Sequence, residues 1–179
     1  MDIASIEESY AGQLTQPWLC VDVSRQLLWV IKNTQIVDEY AVSTSRYGVG
    51  NQQDSYKTPL GAHAIKQKIG NGAALGEIFK ARQASGQQAQ IISLPEHDHQ
   101  DLILTRILWL TGLEPGHNSG QGIDSYTRYI YLHGTQEEGL LGQAVSKGCV
   151  RMANQTIMDL FEMVEEGTFV YIADNTSIR

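Results

Sequence analysis

The chain has 179 residues, 42% of them hydrophobic and 18% charged, which is the composition of an ordinary globular protein and the length of one domain with a sizeable core. Its formal charge of −7, from 13 basic and 20 acidic residues without a basic stripe, speaks against a nucleic-acid binder. No apolar run approaches the roughly 18 residues of a transmembrane segment, and Met1-Asp-Ile-Ala-Ser-Ile-Glu-Glu8 has neither the basic start nor the apolar stretch of a secretory signal.

Residues 1–16 read as a short polar lead-in. The β-branched runs at 18–23 and 26–31 read as a hairpin, and 36–43 as a third strand. Residues 44–56, rich in Gly, Asn, Gln and Ser, read as a loop. Pro59 then sets a turn at the start of a strand over 61–68. Residues 69–90 read as an irregular insertion with a short extended piece near Ile78-Phe79, and 91–94 as a short helical or strand segment. The second half of 101–110 reads as a core strand, 114–122 as a loop, and 128–132 as a strand that delivers His133 at its end.

The helix signal is clearest over about 154–166, where Ile157, Leu160, Phe161 and Val164 share one face, Asn154 suits the N-cap and Gly167 a stop. Residues 168–173 close the chain as a strand. The expected fold is therefore mainly β, an antiparallel β-sandwich or open barrel with one main packed helix. The expected organisation is a lead-in over 1–16, a single domain over 17–174 and a tail over 175–179.

Chemistry concentrates late in the chain. Fifteen residues separate His133, in His133-Gly-Thr135, from Cys149, in Ser146-Lys-Gly-Cys-Val-Arg-Met152. A thiol and an imidazole are the minimum parts of a cysteine acyl-transfer enzyme: the imidazole takes the thiol proton and the thiolate attacks a carbonyl. Lys147 and Arg151 bracket the thiol with positive charge, which favours the anion, and Gly148 leaves the backbone free to turn or to approach a ligand. The other cysteine, Cys20, reads as a core thiol in a strand.

The pattern from Tyr129-Ile-Tyr-Leu-His-Gly-Thr135, through Gly142 and Ser146-Lys-Gly-Cys-Val-Arg-Met152, to Gly167-Thr-Phe-Val-Tyr-Ile172 resembles the catalytic domain of the YkuD-type L,D-transpeptidases. Lys57-Thr-Pro-Leu-Gly61 looks like that family's TPxG turn, and Ile107-Leu-Trp-Leu-Thr-Gly-Leu-Glu114 with Asp124-Ser125 like one branch of it. The resemblance covers about 18–173 and implies the L,D-transpeptidase domain fold, with Cys149 as nucleophile and His133 as its base. It departs at one place: the family usually has His directly before Gly-Cys, and this chain has Lys147. A lysine there can lower the thiol pKa or grip a substrate carboxylate, and it can equally mark altered specificity or lost turnover.

What the resemblance implies is release of D-Ala from a tetrapeptide stem of peptidoglycan, through an acyl-enzyme on Cys149, and transfer to an amine acceptor, as in 3–3 crosslinking or lipoprotein attachment. It also implies acylation by carbapenems and a place in the cell envelope or periplasm, while the missing export signal leaves a cytoplasmic substrate open. The alternatives are an L,D-carboxypeptidase or muropeptide hydrolase, and a non-catalytic wall-binding module. The backbone N–H of Cys149, with a neighbour such as that of Gly148, suits an oxyanion, and the Gly134 carbonyl suits orientation of the imidazole. Arg151 reads equally as a carboxylate clamp and as a loop-bracing ion pair; Ser146 either shapes the turn or donates to substrate. No cofactor is expected, nor a metal: Glu96-His97-Asp98-His99 reads as a solvated turn, and His63 and His117 as surface or loop residues. Oligomeric state is not legible.

Overall fold

The computed structural model describes residues 2–98 and 100–175. The chain runs α1 (Ile3–Ser9), β1 (Trp18–Asp22), β2 (Leu27–Lys32), β3 (Gln35–Ala41), β4 (Gly61–Ile69), β5 (Glu77–Lys80), β6 (Gln83–Gln88), β7 (Ile103–Gly112), β8 (Tyr131–Gly134), β9 (Val150–Met152), α2 (Asn154–Met163) and β10 (Phe169–Ala173). The expected mainly β fold with α2 packed on it is what the chain forms.

The strands make one sheet in the order β3-β2-β1-β10-β4-β7-β5-β6, and a branch in which β8 pairs with β7 and β9 with β8. The sheet is mixed rather than purely antiparallel, because β1–β10 and β8–β9 run parallel. The branch forms at a bulge in β7 between Leu104 and Ile107, where Thr105 adopts a φ of 68°.

All five residues of β1 are buried, which explains why its sequence is a near-continuous apolar run. Its alternation feeds two cores. Leu19 and Val21 join Leu28, Val30, Leu108, Leu132, Val150 and the Ile157-Leu160-Phe161 stripe of α2. Trp18 and Cys20 join Trp29, Ile31 and Phe169 on the other side, and Ile6 of α1 closes that cluster. Each fully buried aliphatic side chain of these clusters contributes about 1.5–3 kcal/mol. Residues 3–9 thus carry a helix that covers core, where a polar lead-in is expected from sequence.

Three further local expectations change. Residues 69–90 hold the β5–β6 hairpin, whose β5 is the extended piece expected near Ile78-Phe79, rather than an otherwise irregular insertion, and its Phe79 anchors a third apolar cluster with Ile107, Trp109 and Tyr131. Residues 91–94 form neither helix nor strand. The N-cap of α2 is Ala153, not Asn154, and the helix ends at Met163. The orphan Asn154 N–H of its first turn is instead met by the Glu138 carboxylate at 2.8 Å, a favourable charge for a helix N-terminus.

Candidate active site

Alternation along β8 and β9 sorts side chains onto two faces. The parallel register pairs Leu132 with Val150, His133 with Arg151 and Gly134 with Met152. Leu132, Val150 and Met152 belong to the main core. Tyr131, His133, Cys149 and Arg151 therefore share the opposite face, where Cys149 packs against the cluster of Phe79, Ile107, Trp109 and Tyr131. The sheet itself brings thiol and imidazole to one side.

The Nδ1 atom of His133 lies 2.8 Å from the carbonyl oxygen of Gly134. A carbonyl only accepts, so Nδ1 carries the proton and Nε2 keeps its lone pair. Burial pushes the imidazole pKa down to about 4, with the Gly134 carbonyl and Asp101 acting against that shift. The resting ring is neutral.

The thiol of Cys149 is half-buried; it donates to the carbonyl of Tyr129 at 3.3 Å, and its sulfur accepts the Tyr131 N–H at 3.4 Å. Burial pushes the thiol pKa up to about 12, opposed by the Tyr131 N–H and by the charges of Arg151 and Arg128. Sequence suggested a thiolate favoured by Lys147 and Arg151. Desolvation outweighs the cations instead, the second cation is Arg128, and Lys147 is exposed on the surface.

The turn that carries Cys149 is fixed from within and from below. Ser146 Oγ donates to the Cys149 carbonyl at 2.6 Å and accepts the Gly148 N–H at 3.2 Å. Gly148 has a φ of 120°, a conformation L side chains rarely adopt. Its carbonyl accepts from Thr58 Oγ1 at 3.0 Å, so the Thr-Pro-Leu-Gly turn buttresses the loop. Ser146 spends its hydroxyl on the turn. The Gly148 N–H is likewise spent, whereas the Cys149 N–H has no hydrogen-bond partner among the described residues.

Arg151 is buried, and its guanidinium donates to Glu137 at 2.6 Å and to Asp101 at 2.5 Å. The bracing ion pair is the arrangement present; neither carboxylate is signalled by spacing in the sequence. Asn154, fully buried, joins three elements: its amide donates to the Thr135 carbonyl and Glu138, and its oxygen accepts from Thr105. His63 is buried in β4 between the Gly61 carbonyl and Ser125 Oγ, each 2.9 Å away, where a surface position is expected. Cys20 is a buried free thiol of β1. No group of three or more His, Cys, Asp or Glu side chains among the described residues could hold a metal ion, and His99 of the acidic-histidine run lies outside the described residues. No helix among the described residues is long and apolar enough to cross a membrane.

The sequence and the fold have known relatives. The family model for the L,D-transpeptidase catalytic domain (YkuD) matches residues 16–172. YqjB of Bacillus subtilis (strain 168), provisionally named an L,D-transpeptidase, is 43% identical over 48 residues, 27% of either chain. A solved L,D-transpeptidase from Mycobacterium tuberculosis H37Rv superposes with a TM-score of 0.53 at 15% identity, over 88% of this chain and 57% of that one. The L,D-transpeptidase LdtMt1 in complex with imipenem gives 0.53 at 14% identity, over 88% and 58%. This chain thus spans less than two thirds of the length of those solved proteins.

Proposed function

The chain belongs to the L,D-transpeptidase catalytic domain family, and from that membership we propose that it is a cysteine acyl-transferase acting on peptidoglycan stem peptides. The observation that carries the reading is the state of its pair: a thiol on one face with an imidazole whose Nδ1–H is held by Gly134 and whose Nε2 is unprotonated.

At rest the Cys149 thiol keeps its proton and donates it in a hydrogen bond to the Tyr129 carbonyl. As substrate enters, that proton passes to His133 Nε2 and the sulfur attacks the carbonyl carbon of the third stem residue. The unpartnered Cys149 N–H is the donor left for the developing oxyanion. His133 then protonates the departing amine, the C–N bond breaks, D-Ala leaves and a thioester remains. An amine acceptor reverses the sequence. The site chemistry calls for no metal or organic cofactor. The substrate class puts the working site at the cell envelope, and the imipenem complex of a fold relative supports acylation by carbapenems.

The test is mass spectrometry of the protein incubated with a disaccharide-tetrapeptide, with and without a D-amino acid, beside Cys149→Ala. Exchange of the terminal D-Ala or a 3–3 dimer, abolished in the variant, is the expected result. Tripeptide alone means an L,D-carboxypeptidase, and an unchanged substrate would reject the assignment in favour of a binding module.

A further inference from the structure

Every exposed aromatic side chain among the described residues stands around the turn that carries Cys149: Tyr47, Tyr56 and Tyr129. Tyr129 has partners, since Trp109 packs against its ring and Arg82 lies over it at 5.0 Å. Neither Tyr47 nor Tyr56 belongs to any of the three apolar clusters. They are 48% and 57% exposed, and their rings meet each other at 6.0 Å, tilted by 43°. A lone exposed ring is ordinary on a protein surface, whereas a pair held together beside a cleft marks a contact site.

The loop fixes this pair in place. One buried hydroxyl clamps both backbones: Ser45 Oγ donates to the Tyr56 carbonyl at 2.5 Å and accepts the Tyr47 N–H at 3.0 Å. Tyr56 has a φ of 57°, a left-handed conformation that is costly for a bulky residue. The segment between the two rings is laced shut. The Gly50 N–H donates to the Thr58 carbonyl and the Thr58 N–H to that of Gly48, while Arg128 donates to the carbonyls of Gly50 and Lys57 at 3.2 and 2.7 Å. A rigid frame of this kind lowers the entropy lost when a ligand settles on the rings.

The same loop supplies polar groups around the rings. Arg46 places its guanidinium over Tyr47 at 5.2 Å. Gln52, Gln53 and Asp54 are exposed, and their side chains make no hydrogen bond among the described residues. Aromatic faces rimmed by amide, carboxylate and guanidinium groups suit a ligand that is apolar on one face and hydrogen-bonding at its edge. A pyranose is such a ligand: its axial C–H bonds form an apolar face, and its hydroxyl and acetamido groups ring the edge. A lipid would need contiguous aliphatic surface and a nucleic acid a basic stripe, and the loop offers neither.

The position matches the substrate of the acyl-transfer reading. Gln53, Asp54 and Tyr56 form one wall of a cleft of about 140 Å³ whose other wall runs from Thr127 to Ile130. The Tyr129 carbonyl of that second wall receives the Cys149 thiol. The cleft therefore leads from the nucleophile to the tyrosines. In a stem peptide the reacting carbonyl and the sugar are about three residue lengths apart, roughly 10 Å. A sugar on such a stem falls close to the nucleophile's own turn, where the N–H of Arg46, next to Tyr47, bonds to the Ser146 carbonyl at 3.1 Å.

We propose that Tyr47 and Tyr56, rimmed by Arg46, Gln52, Gln53 and Asp54, form a saccharide platform that holds the N-acetylated sugar to which the stem is attached. The saccharide site rests on the loop; its use during turnover rests on the acyl-transfer reading above.

Two measurements on the full chain test it. In saturation-transfer NMR with chitotetraose, an N-acetylglucosamine tetramer without a stem, the sugar C–H protons are expected to receive magnetisation. That signal should be lost in the double variant Tyr47→Ala, Tyr56→Ala, its fold confirmed by circular dichroism, and kept in Tyr47→Phe. In D-Ala exchange, kcat/KM for a disaccharide-tetrapeptide is expected to exceed that for the free tetrapeptide by about tenfold, the effect of two aromatic contacts. The double variant should bring that ratio toward one. No saccharide signal, a signal that survives the double variant, or equal kcat/KM for the two substrates overturns the platform, and acyl transfer stands if both substrates are converted. Saccharide binding that the double variant abolishes, with neither substrate converted, supports the platform and sinks the acyl-transfer reading instead.

Discussion

His133 donates its Nδ1–H to the carbonyl of the very next residue, Gly134, at 2.8 Å. The backbone therefore selects the tautomer without an acidic third member. Because burial holds the imidazole near pKa 4 and the thiol near 12, the resting pair is neutral rather than a thiolate–imidazolium pair. In the proposed mechanism acylation needs neutral His133, so kcat/KM should stay level from neutral pH downward and fall as pH drops through about 4, well below the usual 6.5 of a histidine. In parallel, alkylation of Cys149 by iodoacetamide should keep rising above pH 9 instead of reaching a plateau near neutrality. Rapid pH-jump assays separate this from unfolding. An acid limb near 6.5, with a plateau of alkylation at pH 7, would show that an ion pair is the resting state.

Much of this was legible beforehand because it is local. The β1–β2 hairpin, the stripe of α2 and the closing strand follow from hydrophobic periodicity over a few residues. Cys149 and His133 stand in a compact motif whose two halves are adjacent strands. What was not legible depends on distant partners. Asn154 looks like a cap, yet its side chain is spent on Thr135, Glu138 and Thr105, which no spacing rule connects. His63 looks like a loop histidine until β10 and β7 close over β4. The Cys149 thiol shifts against the expectation from its charged neighbours, because a sequence shows those charges but not desolvation, which wins here.

His63 gives a prediction about stability. Burial lowers its pKa to about 4, below the 6.5 of an unfolded chain. The unfolded state therefore binds more protons between those values, and stability is lost as pH falls from 6.5 toward 4. Replacing His63 with Gln removes one such proton. Over that window the unfolding free energy of the variant should fall less steeply, by about 1.4 kcal/mol per pH unit. Urea titrations at several pH values measure both slopes; parallel slopes would mean that His63 is not held neutral.

Arg151 separates bracing from substrate recognition. Its guanidinium joins Glu137 of the loop after β8 to Asp101 ahead of β7, beside the thiol–imidazole pair. Arg151→Ala leaves buried Glu137 with His97, 3.5 Å away, as its remaining basic neighbour, and removing one partner of a buried pair typically costs about 3–5 kcal/mol. Arg151→Lys cannot reproduce a fork that engages two carboxylates and should also be destabilised, by a smaller amount. Thermal unfolding is the measurement. A fully stable Arg151→Ala whose sole defect is a raised KM would make Arg151 a substrate clamp instead.

The turn before Cys149 should matter for rate more than for binding. Ser146 Oγ both donates to the Cys149 carbonyl and accepts from the Gly148 N–H, so Ser146→Ala frees the backbone that carries the proposed oxyanion donor. The loss of two neutral bonds should lower stability by about 1–3 kcal/mol. Misplacing an oxyanion donor lowers kcat by roughly 100-fold. Ser146→Thr keeps the hydroxyl and should restore most of the rate. Single-turnover acylation distinguishes this from a weakened substrate complex, since a change confined to KM would assign Ser146 to binding.

Gly134 is the most demanding position in the site. A Cβ there would lie 2.4 Å from Asn154 Oδ1 and 2.8 Å from the Leu104 carbonyl, inside the contact distance of real methyl groups. The side chain of Asn154 cannot simply turn away, because its oxygen accepts from Thr105 and its amide donates to Thr135 and Glu138. The Leu104 carbonyl belongs to β7, the register partner of Gly134, and is backbone. Gly134→Ala must therefore push β8 away from β7 and carry His133 with it. Overpacking of this kind typically costs about 1–3 kcal/mol, and a misplacement of the base near 1 Å costs roughly 100-fold in rate. Acylation of the folded variant, measured at a temperature below its lowered midpoint, should show that loss. Asn154→Ala in the same background opens the space of the amide, and recovery of rate there would trace the defect to this contact. Unchanged acylation in Gly134→Ala alone would mean that β8 can shift without moving the imidazole.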